Sequence, residues 1–82
     1  MEKRHHSATI TIYNRNAAYL LVGEVLHQYA NEILLRVGYP MKEQNVAVIF
    51  LMLEMTTDEL GALTGKLGQI PSVKVKSTTL KI

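Results

Sequence analysis

Apolar and polar residues alternate over residues 4–13. Ala8, Ile10 and Ile12 fall on one side of this alternation, and hydroxyl residues fall on the other. A period of two is typical of a strand with one buried face, and β-branched residues favour strands. The polar segment 14–16, Asn-Arg-Asn, then offers a turn and a helix N-cap. The chain is therefore predicted to begin with a half-buried strand that leads into a helix.

Two later segments have the period of an amphipathic helix. In residues 17–30 the apolar positions form two adjacent stripes, and either could face a core: Ala18, Leu21, Val25 and Tyr29, or Val22 and Leu26. The second helix is predicted from a capping box, Thr56 to Glu59. Its apolar face consists of Leu60, Leu63, Leu67 and Ile70. Gly68 near its end and Pro71 beyond it are stop signals.

The remaining segments read as strands. Residues 32–40 form a strand ended by Pro40, and the polar connector 41–44 leads into a third strand over 45–55. The last strand alternates, with Val73 and Val75 inward and Lys74 and Lys76 outward. The order β-α-β-β-α-β predicts one domain over residues 1–82. Its fold class is α+β, a ferredoxin-like sandwich with two helices on one face of a four-stranded antiparallel sheet. Right-handed crossovers place the first and third strands in the centre of that sheet.

The third strand contains eight consecutive apolar residues, from Val46 to Leu53. Its period divides them into two sets, and the sequence leaves open which set lies under the helices: Val46, Val48, Phe50 and Met52, or Ala47, Ile49, Leu51 and Leu53. Burying one such side chain contributes roughly 1.5–3 kcal/mol. Four exposed ones would forfeit on the order of 6–12 kcal/mol, against a typical domain stability of about 5–15 kcal/mol. The set that faces away from the helices is therefore predicted to lie in a contact between subunits, in a dimer or tetramer formed through the sheet.

Composition narrows the classes of function. The chain has no cysteine, which excludes disulfides, thiolate metal sites and a cysteine nucleophile, and fits a cytoplasmic location. The first ten residues lack the apolar region of a secretory signal, and no apolar run approaches the ~20 residues that cross a bilayer. The net charge is +2. Solvated chain ends explain this small excess, so nucleic acid is not the predicted partner.

No catalytic, metal or cofactor site is predicted. His5 and His6 are adjacent on a strand and point to opposite faces, so both are interpreted as surface residues. The segment GALTGKLG (residues 61–68) lacks the spacing of a phosphate-binding loop and lies within a helix. Its glycines instead suggest close packing of that helix against the sheet or a neighbouring molecule. The chain is not predicted to be an enzyme.

The segments ILLRVGYP (residues 33–40) and GALTGKLGQI with VKVK (residues 61–70 and 73–76) resemble the small regulators of the iron-only hydrogenase system. The resemblance extends over about residues 3–81. These regulators are similar to ACT domains and to the C-terminal effector domains of nickel-responsive repressors. The resemblance implies an oligomeric ferredoxin-like module that senses a small molecule at a subunit interface or contacts a protein partner.

A ligand site is expected on this basis at Asn14, Arg15 and Asn16, whose side chains and backbone could hold a carboxylate or an amide. Arg36 is a second candidate anion contact. The loop after the first strand has no glycine, unlike that of many ACT domains, and the chain lacks the cysteine of the nickel sites. The alternative interpretation is a transcriptional regulator that binds nucleic acid directly through Lys74, Lys76 and Lys81.

Overall fold

Four antiparallel strands form one sheet, and two helices cover one of its faces. The computed structural model describes residues 2–82. Its elements are β1 (Arg4–Ile12), α1 (Arg15–Gln28), β2 (Ile33–Met41), β3 (Val46–Met55), α2 (Thr57–Gly68) and β4 (Val73–Thr79). Single 3-10 turns, Ala30–Glu32 and Lys42–Gln44, precede β2 and β3. The strand order β2-β3-β1-β4 confirms the predicted fold, with β1 and β3 in the centre.

The core lies between the helices and the sheet. From α1 it receives Ala18, Val22 and Leu26, whereas Leu21 is 46% exposed. Both predicted stripes therefore contribute to the core, because Val25 and Tyr29 also pack against it while partly buried, and Leu21 is the member that points away. The predicted face of α2 is confirmed, because Leu63 and Leu67 are buried and Leu60 and Ile70 pack against the same cluster.

The prediction that His6 lies at the surface is wrong. Its side chain is fully buried, on the same face of β1 as Ala8 and Ile10. Nε2 lies 2.9 Å from the carbonyl oxygen of Met55, and Nδ1 lies 2.9 Å from Oγ1 of Thr79. A carbonyl oxygen can only accept, so Nε2 donates. Both ring nitrogens have partners, which allows a polar ring to complete the core where β1, β3 and β4 come together.

Several boundaries differ from the predicted ones. Pro40 does not end β2, which continues to Met41. A proline is tolerated there because β2 is an edge strand and the missing N–H costs no sheet hydrogen bond on its open side. The helix α1 begins at Arg15, two residues earlier than predicted, because Asn14 caps it. After α2 the left-handed conformation belongs to Ser72 (φ 65°), and Gly68 is an ordinary helical residue.

The glycines of α2 do not pack against the sheet. Gly61 and Gly65 are exposed, and a Cβ atom added at either would meet no atom within 4 Å. The predicted close packing on the sheet is therefore wrong, and the glycine face of α2 is an open surface of the subunit.

Candidate functional site

The structure resolves which half of the apolar run faces the helices. Ala47, Ile49, Leu51 and Leu53 are all buried in the core. The alternate residues Val46, Val48, Phe50 and Met52 lie on the opposite, helix-free face of the sheet, where Phe50 is 47% exposed. This second set is the one that an additional layer of protein would cover.

The strand register divides the helix-free face into two chemically different halves. Phe50 pairs with Val37 of β2 on one side and with Thr9 of β1 on the other. The half formed by β2 and β3 is apolar and is called here the apolar half-face: Leu35, Val37, Tyr39, Met41, Val46, Val48, Phe50 and Met52. The half formed by β1 and β4 is polar: Ser7, Thr9, Thr11, Lys74, Lys76 and Thr78. The exposed apolar side chains are therefore concentrated on the β2–β3 half of the helix-free face.

Residues of β2 also belong to this apolar face, whereas the subunit contact predicted from the sequence consisted of β3 residues only. Leu35 is 57% exposed, and Tyr39 is 61% exposed. The signal was present in the sequence, because Leu35, Val37 and Tyr39 recur with a period of two. A β-bulge between Ile33 and Leu35 adds Leu34 to the open edge beside this half.

At one end of the sheet, a network of asparagines holds the start of α1. Asn14 caps the helix through its side-chain oxygen, which accepts from the N–H of Ala17 at 3.3 Å and from Nδ2 of Asn45 at 3.0 Å. Asn45 also accepts the N–H of Arg15 through its carbonyl oxygen at 2.8 Å and the N–H of Asn16 through Oδ1 at 3.2 Å. The first backbone donors of α1 are thus already used within the chain. What residues 14–16 leave for a ligand is the side chains of Arg15 and Asn16.

Asn45 is the residue of this network that sequence reasoning missed. It stands in the left-handed conformation, with φ 57°, between the β2–β3 connection and β3. Asparagine is among the few residues other than glycine that adopt this conformation readily. The position of Asn45, after a polar connector and before a strand, is the sequence feature that could have predicted its left-handed backbone.

The side chain of Arg15 turns back over the sheet. Its guanidinium carbon lies 5.5 Å from the ring centroid of Tyr19, and its Nε is buried without a hydrogen-bond partner among residues 2–82. It lines a cavity of about 100 Å³ between α1 and the strands β2 and β3, together with Gly38, Pro40 and Ile49. A guanidinium is always charged, so this cavity has a permanent positive wall.

Arg36 does not share that cavity. It lies on the helix side of β2, opposite Leu51, and lines a separate cleft of about 270 Å³ with His27 and Ile33. Arg15 and Arg36 therefore belong to two different depressions along α1.

Of the three lysines that would bind nucleic acid in the alternative interpretation, only two lie next to each other. Lys74 and Lys76 lie on the polar half of the helix-free face, and the ammonium of Lys74 is 5.9 Å from the ring centroid of Tyr13. Lys81 lies beyond the end of β4. Two neighbouring cations make a small positive strip.

Other chemistry is sparse in the described part of the chain. Within residues 2–82, no three histidine or acidic side chains are grouped as metal ligands would be. Over the same residues no helix combines the length and the apolar character that crossing a membrane requires. The pKa of Glu59 is lowered because its carboxylate accepts the N–H of Thr56 in the capping box. That group serves the helix and not a site.

Among solved structures, three illustrate what the chain is similar to. The uncharacterized protein TM1266 from Thermotoga maritima is 52% identical, with a TM-score of 0.93 over 98% of this chain and 100% of that one. The ACT domain from GTP pyrophosphokinase of Chlorobium tepidum is 19% identical, with a TM-score of 0.79 over 93% and 99%. A dimeric ferredoxin-like protein from an uncultured marine organism is 12% identical, with a TM-score of 0.57 over 100% and 96%. The last two likenesses concern the fold alone.

A family assignment comes from the sequence itself. No curated protein matches the chain. The model of the TM1266-like family, described as "Iron-only hydrogenase system regulator, putative", matches residues 4–77. Since this match extends over most of the 82 residues, the chain belongs to the TM1266-like family of iron-only hydrogenase system regulators.

Proposed function

We propose that the protein is a cytoplasmic, non-enzymatic regulatory module that associates with itself through the sheet and binds a small molecule at the start of α1. The observation that carries the proposal is the apolar half-face, on which Val37, Tyr39 and Phe50 are each about half exposed or more. Exposed apolar surface of this extent on one side of a sheet is typical of an interaction site. The family description and the ACT-like fold support the regulatory role.

The division of the face limits how two copies can meet. In a symmetric dimer the same patch contacts itself. A two-fold axis that runs along the strands through the centre of the sheet would set Lys74 and Lys76 of one copy against the apolar half-face of the other. An axis displaced toward β2 and β3 instead places apolar half on apolar half and leaves the lysines at the hydrated rim. We therefore propose an offset dimer centred on Phe50 and Val37, with Leu34 and the open edge of β2 beside it.

Sedimentation equilibrium with three variants tests this arrangement. Phe50→Glu places a charge in the centre of the proposed contact and is expected to yield monomers. Lys76→Glu changes charge on the polar half of the same face, and Leu20→Glu does so on the outer surface of α1, where Leu20 is 79% exposed. Both should associate as the parent does. A monomeric parent protein at millimolar concentration, or an unchanged association of Phe50→Glu, would contradict the proposal.

The ligand part of the proposal rests on Arg15 and Asn16. Their backbone N–H groups are occupied by Asn45, but both side chains remain available at the end of the sheet. A thermal-shift screen of amino acids, small carboxylates and divalent metals tests for an effector, because a ligand that binds only the folded state raises the melting temperature. The same screen on Phe50→Glu shows whether binding needs a second subunit.

The alternative of direct nucleic-acid binding is favoured by one observation, the neighbouring Lys74 and Lys76 on the polar half of the sheet. It predicts an affinity for DNA or RNA that falls steeply with salt. Fluorescence anisotropy at two salt concentrations, with Lys74→Gln/Lys76→Gln as the matched variant, distinguishes it from the sensory module. Salt-sensitive binding that the double variant loses would favour the alternative.

A further inference from the structure

We propose that the open edge of β2 receives an extended segment of a partner protein in which apolar and acidic residues alternate. The segment would pair with β2 as an added strand of the sheet. This goes beyond the proposed function, because it adds a protein partner to a module that associates with itself and binds a small molecule. Three features carry the inference: the free backbone of β2, the surfaces on either side of it, and the charge on the helix side.

β2 is an exposed edge strand. Within residues 2–82 it pairs with β3 alone, and every residue from 34 to 40 is exposed. The β-bulge near Ile33 and the proline at position 40 are features that discourage pairing at an edge. Between them, residues 35–39 keep a regular register with β3 and contain neither proline nor lysine. This central part of the strand therefore leaves its outer backbone groups open to another strand.

The direction of these backbone groups follows from two hydrogen bonds at the opposite edge of the sheet. The N–H of Tyr13 donates to the carbonyl oxygen of Ser72. The carbonyl oxygen of His5 accepts the N–H of Leu80. Because successive residues of a strand direct these groups to opposite sides, odd-numbered residues of β1 bond toward β4 and even-numbered ones toward β3. The register then gives the even-numbered residues of β3 to the odd-numbered residues of β2, so that residues 36, 38 and 40 face outward.

Arg36 and Gly38 thus offer one N–H and one carbonyl oxygen each at the open edge. Pro40 points the same way, so its missing N–H takes no bond from the pairing with β3. A Cβ atom added at Gly38 would meet no atom within 4 Å. Glycine within a strand often marks a place where another backbone approaches closely. An added strand can therefore bond to Arg36 and Gly38 without obstruction.

The two faces of the sheet give an added strand different neighbours. On the helix-free face these are Leu35, Val37 and Tyr39, each about half exposed or more. Apolar side chains of the added strand would pack beside them and extend the apolar half-face. On the helix side the neighbour is Arg36, which lines the cleft with His27. None of the residues that line this cleft is acidic, so a carboxylate on the added strand would pair with the guanidinium without competition from the wall.

Charge argues against the other occupants of this edge. A second copy of β2 would bring another Arg36 to the helix side and no carboxylate, because the strand carries none. The edge of β4 is a poorer site for the same segment. Lys74 and Lys76 stand there on the helix-free face, in place of an apolar row, and lysine on an edge strand discourages pairing.

Fluorescence anisotropy with a labelled peptide, Val-Glu-Val-Glu-Val-Glu-Val, tests the proposal on the full chain. We expect saturable binding. Peptides with glutamine or lysine in place of every glutamate should bind at least tenfold more weakly, because the apolar row is kept while the partner of Arg36 is lost. Absence of saturable binding, or equal binding of the three peptides, would overturn the proposal.

Backbone methylation of the peptide distinguishes strand pairing from a loose contact between charges. One peptide carries N-methyl groups on its glutamates and another on its inner valines. In a paired strand one set of N–H groups points at β2 and the other points away. One methylated peptide should therefore lose at least tenfold in affinity, and the other should bind as the unmodified peptide does. Equal effects of the two would contradict pairing with the edge.

Two protein variants locate the site. Arg36→Glu reverses the charge on the helix side of β2, and it should bind the glutamate peptide at least tenfold more weakly and prefer the lysine peptide. Lys76→Glu makes the same change on β4 and should bind as the parent does. Both positions are exposed, so both variants are expected to fold. Glutamate-peptide binding that Arg36→Glu retains, or that Lys76→Glu loses, would overturn the assignment to β2.

The result is separable from the contact proposed for the sheet face. Phe50 lies on β3 and not at the open edge, so the titration can be repeated on Phe50→Glu. Peptide binding by this variant, whether or not the parent associates, supports the added strand. A peptide that binds neither protein overturns it, while dimers that Phe50→Glu disrupts would leave the offset dimer standing.

Discussion

The side-chain amide of Asn45 donates to Oδ1 of Asn14 across 3.0 Å, so the residue that precedes β3 holds the residue that caps α1. The two are far apart in sequence but adjacent at one end of the sheet. Through this bond and those to the backbone N–H groups of Arg15 and Asn16, Asn45 fixes the position of the first turn of α1. The cavity beside Arg15 depends on that arrangement, because the same network fixes the backbone from which the guanidinium extends.

Substitutions of Asn45 should separate its two roles. Asn45→Gly keeps the left-handed backbone and loses the side-chain bonds to Asn14 and Asn16, which should cost about 1–2 kcal/mol of unfolding free energy. Asn45→Ala loses the same bonds and also strains the backbone, which adds about 1 kcal/mol or more. Urea denaturation measures both. The expected order of stability is parent, glycine variant, alanine variant, and an alanine variant as stable as the glycine variant would show that the backbone is not constrained.

His6→Phe should destabilise the protein although it replaces a buried ring with a more apolar one. The carbonyl oxygen of Met55 and the hydroxyl of Thr79 would lose their partner in the core. A buried group left unpaired costs about 1–3 kcal/mol. His5→Phe is the matched control, because the neighbouring side chain lies on the other face and should change stability by only about 0.5 kcal/mol. Equal effects of the two substitutions in urea denaturation would argue against a structural role for the buried imidazole.

The fold could be predicted from sequence because the hydrophobic pattern of each helix and strand lies within a single segment of the chain. Alternation in β1 and β4, the face of α2 and the capping box of Thr56 and Glu59 each lie within one element and are confirmed. The family resemblance is confirmed as well. His6 could not be placed in this way. Its burial depends on a partner in β3 and on another in β4, one crossover later in the chain. Nothing in residues 4–13 indicates that both ring nitrogens have hydrogen-bond partners.

The candidate site was predictable only in part for the same reason. Asn14, Arg15 and Asn16 form a polar turn that is visible in the sequence. That Asn45 occupies their backbone donors, and that Arg15 turns into a cavity, are consequences of the β2–β3 connection meeting the start of α1. The division of the helix-free face likewise follows from the strand order, which places β2 next to β3 and β4 next to β1.

Gly65→Ala should stabilise the isolated subunit. The position is exposed on α2, and a Cβ atom there would meet no atom within 4 Å. Replacing a helical glycine with alanine contributes up to about 1 kcal/mol when nothing opposes it. Thermal unfolding at two protein concentrations tests this, with Gly61→Ala as a second variant on the same open surface. A gain at low concentration combined with weaker association at high concentration would instead identify α2 as a contact between subunits.

Acid should selectively weaken the start of α2. The carboxylate of Glu59 accepts the N–H of Thr56 at 2.8 Å, and this bond, with that to the Thr56 side chain, lowers the pKa of Glu59 below its ordinary value of 4.5. A group whose pKa is lower in the folded state stabilises it above the unfolded pKa, and this contribution is lost as the pH falls through the folded pKa. Glu59→Gln retains an oxygen acceptor but does not titrate. The stability advantage of the parent over Glu59→Gln, measured by urea denaturation, should therefore be constant above pH 5.5 or so and should shrink below pH 4.5. An advantage that persists unchanged to about pH 3 would mean that the capping box does not depend on the charge of Glu59.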